Sequence, residues 1–483
     1  MKILFVIAPD NNSEKYILKE SGNYDTLLPL GIAQLAAVMK NKGHEIKAID
    51  LRLRKNKRLS LEHEINDFNP DAISLSSYFY SIKNLFRTAS IIKKVTRAPI
   101  VIGGISPSLP PYKIISNKFS CYLLKESQDI DLVITGEGEI IFERLLNRIR
   151  QGKKYSGLSG VSFRDKKGSI IKSKKSKKLV NIEKLPFPFW GIFCINDYIP
   201  LPKHYKRIPV IPISASRGCL WGKCSFCPQP NINGYYRFKS PRRVISEIKY
   251  LARKYKAKEL RFWDDNFIHG RKWILDFSNM LAKEKLGLIW SCHARTDMVD
   301  SEILRAMKKA GCWQIMYGIE SADPTLLCRI NKGINLKDAE NAVKKAKSVG
   351  LEVRASFILG LPGETPDKGN KTIKFARKLG ADIIQISYMT PYPETKTYEK
   401  LKNSERLDKN LFNYCEYKVV YLPKAYKSRD HLESIYKKAY RQIYLSPYYI
   451  SKQFLSIRAI EDLRRNYSGF KEVLGMSFKK KRI

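Results

Sequence analysis

Acidic residues are scarce in this chain. Its 46 Asp and Glu face 89 Lys and Arg, which leaves a formal net charge of +43 over 483 residues. The basic residues are spread through every segment and thicken at Lys166–Lys178 and Lys479–Arg482. That spread reads first as a solvated, lysine-rich surface. The second reading is a surface that attracts nucleic acid, an anionic membrane or an acidic partner. No nucleic-acid-binding motif accompanies it. Long apolar runs are missing too. None reaches the ~18 residues of a spanning helix, so none is expected. The opening Met1–Ile7 turns polar by Asp10, which is short for a signal peptide and fits a first buried strand. Histidine is rare, with six in the chain and no paired ligand spacing. The nine cysteines form no disulfide framework, which points to a reducing, cytoplasmic setting.

What is present stands out against those absences. Cys219, Cys224 and Cys227 lie in one run, Ser216-Arg217-Gly218-Cys219-Leu220-Trp221-Gly222-Lys223-Cys224-Ser225-Phe226-Cys227-Pro228. Three close thiolates suit an iron–sulfur cluster better than a closed structural metal site. A 4Fe–4S cube held by three thiolates keeps one iron open, as catalytic metal sites keep a free position. Zinc normally takes four ligands, and Cys292, Cys312 and Cys328 are distant in sequence. A zinc site and inert buried thiols are the alternatives.

Around this loop the chain reads as α/β throughout. In the N-terminal third, apolar strand candidates recur at Ile3–Ala8, Glu45–Leu51, Ala72–Tyr78, Pro99–Gly104 and Leu132–Thr135. Gly31–Lys42 is an amphipathic helix ended by Gly43. Alternating strands and helices imply a doubly wound parallel sheet, and such sheets bind ligands at the carboxyl ends of their strands. Small residues gather there: Leu30-Gly31, Ser76-Ser77, Gly103-Gly104 and Gly136-Glu137. They either admit a large flat ligand or form ordinary tight loops. Residues 146–205 read as a hairpin about Asp165–Gly168 followed by a linker through Leu185-Pro186-Phe187-Pro188.

Alternation resumes at Ile211. Strands are expected at Ile211–Ala215, Glu259–Asp264, Ile289–Ala294, Trp313–Ile319, Leu351–Gly360 and Ala381–Tyr388, with helices such as Pro241–Tyr255 and Leu336–Val349 between. Six such units make a partial barrel whose chemistry lies at the carboxyl ends. Beyond residue 400 the chain turns basic and helical, with helices expected at His431–Tyr444 and Tyr449–Tyr467. They suit a packed cap, and an interfacial membrane contact is the second reading.

Two resemblances sharpen this outline. Pro29-Leu30-Gly31-Ile32-Ala33, Gly43-His44-Glu45, Ile49-Asp50-Leu51, Gly103-Gly104 and Gly136-Glu137-Gly138-Glu139 resemble the cobalamin-binding domain that precedes many radical S-adenosylmethionine (SAM) enzymes. No Asp-x-His-x-x-Gly motif is present, so no histidine is expected on cobalt, and His44 reads as a turn residue. The cysteine loop, with Phe226 before its last cysteine, resembles the radical SAM superfamily. Its first gap holds four residues instead of the family's three, and Gly222 is placed to absorb the insertion. Trp263-Asp264-Asp265, Ala294-Arg295-Thr296-Asp297, Tyr317-Gly318-Ile319-Glu320, Ser356–Thr365 and Pro391–Thr395 follow in the order of the cobalamin-linked branch.

The resemblance implies a domain order of 1–145 cobalamin-binding, 146–205 connector, 206–400 partial barrel and 401–483 basic cap. It implies a 4Fe–4S cluster on Cys219, Cys224 and Cys227, with SAM chelating the open iron. Glu320 would take the ribose, and Arg295 a carboxylate or substrate anion. Phe226 and Leu361 would line the adenine, with Asp264 nearby. Cobalamin would lie against Leu30, Gly31, Ser76, Ser77, Gly103, Gly104, Gly136 and Glu137. The activity implied is methylation of an unactivated carbon of a small molecule or lipid through a 5′-deoxyadenosyl radical. The electron would come from a flavodoxin or ferredoxin. Ring closure or oxidative rearrangement without methyl transfer is the second expectation, and a sensor that binds nucleic acid the third.

Overall fold

The computed structural model describes residues 1–9, 26–53, 61–76, 82–104, 117–174, 176, 179–201, 203–229, 235–410, 413–447, 449–451, 467 and 470. They divide into two compact units. The first holds the described residues up to Tyr198 together with 228–229 and 235–237, and the second holds the remainder.

The first unit is built on strands β1 (Lys2–Ile7), β2 (Glu45–Asp50), β3 (Ala72–Ser76), β4 (Ile100–Ile102) and β5 (Leu132–Ile134). They run parallel in the order β2-β1-β3-β4-β5. Ile3, Leu4, Phe5, Val6 and Ile7 are all fully buried. That is why β1 is a continuous apolar run: helices cover both faces of a central parallel strand. Helices α1 (Leu30–Asn41), α2 (Leu61–Phe68), α3 (Ile82–Val95), α4 (Asn117–Glu126) and α5 (Gly138–Arg150) fill the crossovers. Strand order reverses beside β1, so the binding crevice of this doubly wound sheet lies over the carboxyl ends of β1 and β3.

The expected hairpin is present, but it is part of this unit rather than a free connector. Strand β6 (Val161–Arg164) adds antiparallel to β5, and β7 (Ile170–Ile171) adds to β6. Gly160 permits the close approach. It lies at φ +87°, and a Cβ there would meet Ile141 Cδ1 at 2.7 Å. Asp165 closes the turn by accepting the N–H of Lys167 at 2.9 Å and of Ser169 at 2.8 Å.

The second unit is a partial barrel. Strands β8 (Val210–Ile213), β9 (Glu259–Phe262), β10 (Ile289–Ala294), β11 (Cys312–Glu320), β12 (Glu352–Leu359) and β13 (Ile383–Tyr388) lie parallel in sequence order. Between and beyond them run α6 (Pro241–Tyr255), α7 (Arg271–Glu284), α8 (Ser301–Lys309), α9 (Pro324–Arg329), α10 (Leu336–Ser348), α11 (Pro366–Lys378), α12 (Lys396–Leu401) and α13 (Arg429–Tyr444). The sequence fixes the helix starts. Ser240, Asp300, Asp323, Asn335, Thr365, Thr395 and Ser428 each accept a first-turn backbone N–H, the usual role of an N-cap.

Six strands do not close a barrel, so β8 and β13 are edges. The β13 edge is covered. Tyr440 and Tyr444 on α13 hydrogen-bond the backbone of Ile386 and Ile384, and the Tyr436 ring stacks on Tyr388 at 4.5 Å between centroids. Helix residues four apart rise ~6 Å and strand residues two apart rise ~6.7 Å, so the two ladders match. The helix expected at 431–444 is therefore α13. The one expected at 449–467 lies mostly outside the described residues. Among the described residues no helix is long and apolar enough to cross a membrane.

Candidate active site

The cysteine loop leaves the carboxyl end of β8, where a barrel carries its chemistry. Gly222 sits in the left-handed region at φ +57°, and a Cβ there would lie 3.2 Å from the Cys219 carbonyl. The residue expected to absorb the longer first gap does so by a turn that disfavours a side chain. All three thiols are half-buried, and none is in a disulfide. Among the described residues no three His, Cys, Asp or Glu side chains converge on one point as a single ion requires. A cube needs no such convergence, since each thiolate takes its own iron.

The loop is stitched to the turn after α9. Ser225 N–H donates to the Ile330 carbonyl at 2.8 Å. Trp221 Nε1 donates to the Asn331 carbonyl at 2.9 Å, and Asn331 Nδ2 to the Lys223 carbonyl at 3.1 Å. Arg295, at the end of β10, locks this arrangement. Its Nε and Nη2 pair with Asp297 at 2.9 and 2.8 Å, and Nη1 reaches the Lys332 carbonyl at 2.9 Å. Nη2 also reaches the Gly333 carbonyl at 3.3 Å, and the guanidinium lies 4.5 Å over the Trp221 ring. Four of a guanidinium's five N–H donors are thus engaged within the protein. The structure makes Arg295 a brace of the cluster loop rather than an anion receptor.

Glu320 ends β11 in the left-handed region, at φ +72°. The β11–β12 register shifts between Gly318 and Glu320, a bulge that re-aims the side chain. Its Oε1 accepts from Lys332 Nζ at 2.7 Å in a nearly buried pair. Burial alone would depress the Lys332 ammonium, but Glu320 and Cys224 outweigh it and raise it. Burial pushes the Cys224 thiol up, and the nearby Lys332 and Arg295 cations oppose that. A left-handed backbone in a non-glycine residue is uncommon, and in this chain it occurs also at the helix caps Lys256 and Lys285. A Cβ on Gly318 would lie 2.6 Å from Glu320 Oε1 and 3.0 Å from Lys332 Nζ, so a side chain there must displace this pair.

Other expected residues have different tasks. Asp264 is fully enclosed. It takes the Ala215 N–H at 3.1 Å and the Ser216 hydroxyl, with His269 Nε2 at 3.7 Å. It therefore anchors the strand entering the cysteine loop, and burial pushes its carboxyl up to about 6. Leu361 is fully buried and its carbonyl accepts Glu364 N–H at 2.8 Å. Phe226 is half-buried inside the loop. The sequence marks Asp297 only as part of the Ala294–Asp297 landmark and gives no role to Trp221, Asn331 or Lys332, whose partners lie 12 or more residues away.

In the first unit, Ser76 ends β3 and its hydroxyl donates to the Gly104 carbonyl at 2.6 Å. Among the described residues a Cβ on Gly31, Gly103 or Gly104 would meet nothing within 4 Å. Leu30 begins α1, and Gly136 turns at φ +102° after β5. This open rim fits a planar corrin. Glu137 serves elsewhere: Arg237 grips it at 3.0 and 2.7 Å, and Val180 N–H donates to it at 2.6 Å. Ser77 lies outside the described residues. His44 precedes β2, at the amino end of the sheet. That placement keeps it off the crevice.

Residues 213–376 match the Radical SAM superfamily, and residues 24–146 match the B12 binding domain. An uncharacterised methyltransferase of Pyrococcus horikoshii is 31% identical over 97% of this chain and 99% of its own. The chain belongs to the cobalamin-linked radical SAM family. Its cofactors are a 4Fe–4S cluster, SAM and cobalamin. Among other relatives of this radical SAM protein is the anaerobic magnesium-protoporphyrin IX monomethyl ester cyclase of Rubrivivax gelatinosus. It is 26% identical over 94% of this chain and 79% of its own. Two solved structures share the fold. The cobalamin-dependent SAM radical enzyme OxsB gives a TM-score of 0.72 at 16% identity over 98% of this chain and 71% of its own. The radical SAM methyltransferase TsrM of Kitasatospora setae gives 0.64 at 18% over 90% and 81%.

Proposed function

We propose that this radical SAM enzyme is a methyltransferase acting on a carbon of a small molecule or lipid. The observation that carries the reading is the near full-length match, at 31% identity, to a protein described as a methyltransferase. When bound, the cluster supplies the electron that cleaves SAM, and cobalamin carries a methyl group.

The chain's own part is to hold and shield these groups. Cys219, Cys224 and Cys227 hold the cluster, and Arg295, Trp221 and Asn331 fix their loop. Glu320, oriented by Lys332, receives the SAM ribose. Gly31, Ser76, Gly103 and Gly104 shape the corrin rim. An acidic one-electron donor, flavodoxin or ferredoxin, completes the cycle, and the basic surface favours its encounter.

The cyclase relative motivates a second reading, ring closure without methyl transfer. Methyl-labelled SAM separates the two. Anaerobic, reconstituted and reduced protein should convert SAM to S-adenosylhomocysteine before any substrate is added, with the label retained on the protein. Formation of 5′-deoxyadenosine with no S-adenosylhomocysteine would favour the cyclase reading.

A further inference from the structure

The barrel is hollow. On β10 to β13 burial alternates from residue to residue. Cys292, Ile315, Phe357 and Ile386 are buried, and Phe357 packs on Phe375 of α11 at 6.4 Å between centroids, so this set faces the helices. The alternate set, His293, Met316, Ser356, Gln385 and Ser387, is half-buried. Strand residues two apart share a face, so the second set faces the lumen. A barrel filled by its own side chains would bury that set as well.

The floor of this lumen is charged. Segment 203–207 crosses the amino ends of the strands. Gln314 Nε2 donates to the Lys203 carbonyl at 3.1 Å, and Glu259 Oε2 accepts the N–H of Lys206 at 2.7 Å and of Arg207 at 2.9 Å. His204 Nδ1 on this segment lies 3.3 Å from Arg261 Nη1 on β9. The Arg261 guanidinium lies 4.7 Å over the Trp263 ring, which is 5.8 Å from the His293 ring. Arg354 enters from β12, two residues before Ser356 and on the same face, and its Nη2 donates to Gln385 Oε1 at 3.1 Å. Burial, together with the Arg261 and Arg354 cations, holds the His204 and His293 imidazoles well below their ordinary value. Strand β11 separates β10 from β12 in the sheet, so these groups meet across the lumen. Two guanidiniums at the closed end of a cleft focus a positive potential there, and their forked N–H groups match the oxygens of a carboxylate or phosphate. Arg261 keeps 8% of its surface exposed and Arg354 3%, so Arg261 is the one a ligand in the lumen touches.

We propose that Arg261, backed by Arg354, receives an oxyanion of the substrate, a carboxylate or a phosphate, at the floor of the barrel lumen. Arg354 precedes Phe357, the register partner of Glu320, by three residues, about 10 Å of strand. The anion is anchored that far below the residue assigned to the SAM ribose, and the substrate spans the interval. The proposal rests on the reading of the chain as an enzyme that modifies a bound substrate, and it makes that substrate anionic. Its test reads binding without turnover. An absence of methyl transfer leaves it standing, and its own failure leaves the methyltransferase reading standing.

The test is anaerobic titration calorimetry of the full-length reconstituted protein with hexanoate, hexyl phosphate and the neutral hexanamide. At least one of the two anions should bind saturably, the tighter naming the oxyanion, and hexanamide should give no saturable heat. Arg261→Gln should weaken the bound anion about tenfold. Lys272→Gln removes a charge from a side chain that is 90% exposed, and should leave the affinity unchanged. Absence of saturable anion binding, hexanamide binding as tightly as the anions, undiminished affinity in Arg261→Gln, or an equal loss in Lys272→Gln would each overturn the proposal. If Arg261→Gln does not fold, Arg261→Lys takes its place. That change keeps the charge and loses the fork, so the anion must still bind more weakly, and an unchanged affinity would count against the assignment.

Discussion

The hydroxyl of Tyr444 serves both backbone groups of Ile384: it accepts the N–H at 3.0 Å and donates to the carbonyl. One side chain thus does for the edge of β13 what a seventh strand would do. Exposed edges invite pairing with other chains. Tyr440 repeats the arrangement at Ile386 with longer bonds of 3.4 and 3.3 Å.

Tyr444→Phe should therefore destabilise the barrel unit by ~1–3 kcal/mol, the cost of orphaning buried backbone groups. Tyr440→Phe should cost less. Urea titration followed by far-ultraviolet circular dichroism would show the ordering as a larger drop in midpoint for Tyr444→Phe.

The Glu137–Arg237 pair is buried and bidentate. Arg237→Ala removes the paired cation from a buried carboxylate that also takes the Val180 N–H, and should cost ~3–5 kcal/mol. The loss should appear as early unfolding of the N-terminal unit, with iron content of the barrel unit retained in the folded fraction.

Glu320→Gln should weaken SAM binding about tenfold, ~1.4 kcal/mol, with the cluster kept. Gly318→Ala should do the same with Glu320 kept in the sequence, because its Cβ would displace Glu320 Oε1. Anaerobic calorimetry of SAM binding to each variant measures both effects.

These positions show what sequence alone could and could not reach. The cysteine loop, the alternation of strands and helices and the glycine rim follow from local spacing, and Gly222 was legible because only a turn absorbs an extra residue. The roles of Arg295, Asp264 and Glu137 were not legible. Each is decided by partners 30 to 100 residues away, such as Lys332, Ala215 and Arg237, and such pairings leave no periodic trace. The tyrosines of α13 had the spacing of an ordinary buried face. Only the position of β13 shows that they serve a strand edge.

Burial pushes Glu364 up to about 7, against ~4.3 in an unfolded chain. Between those values the fold holds a proton that the unfolded chain has lost, so stability falls as pH rises. The contribution is full below pH ~4.3 and gone above about 7. Over that window it amounts to roughly 4 kcal/mol. Glu364→Gln should flatten the decline, as read from denaturation midpoints between pH 4.5 and 7.5.

The central claim is a four-iron centre bound through one cysteine loop, and Mössbauer spectroscopy with iron analysis of anaerobically purified protein tests it most directly. The account predicts about four irons per chain, with one iron altered by added SAM, and loss of the centre in Cys219→Ala, Cys224→Ala and Cys227→Ala. A four-iron centre that survives all three substitutions, or none in the wild type after reconstitution, would contradict it.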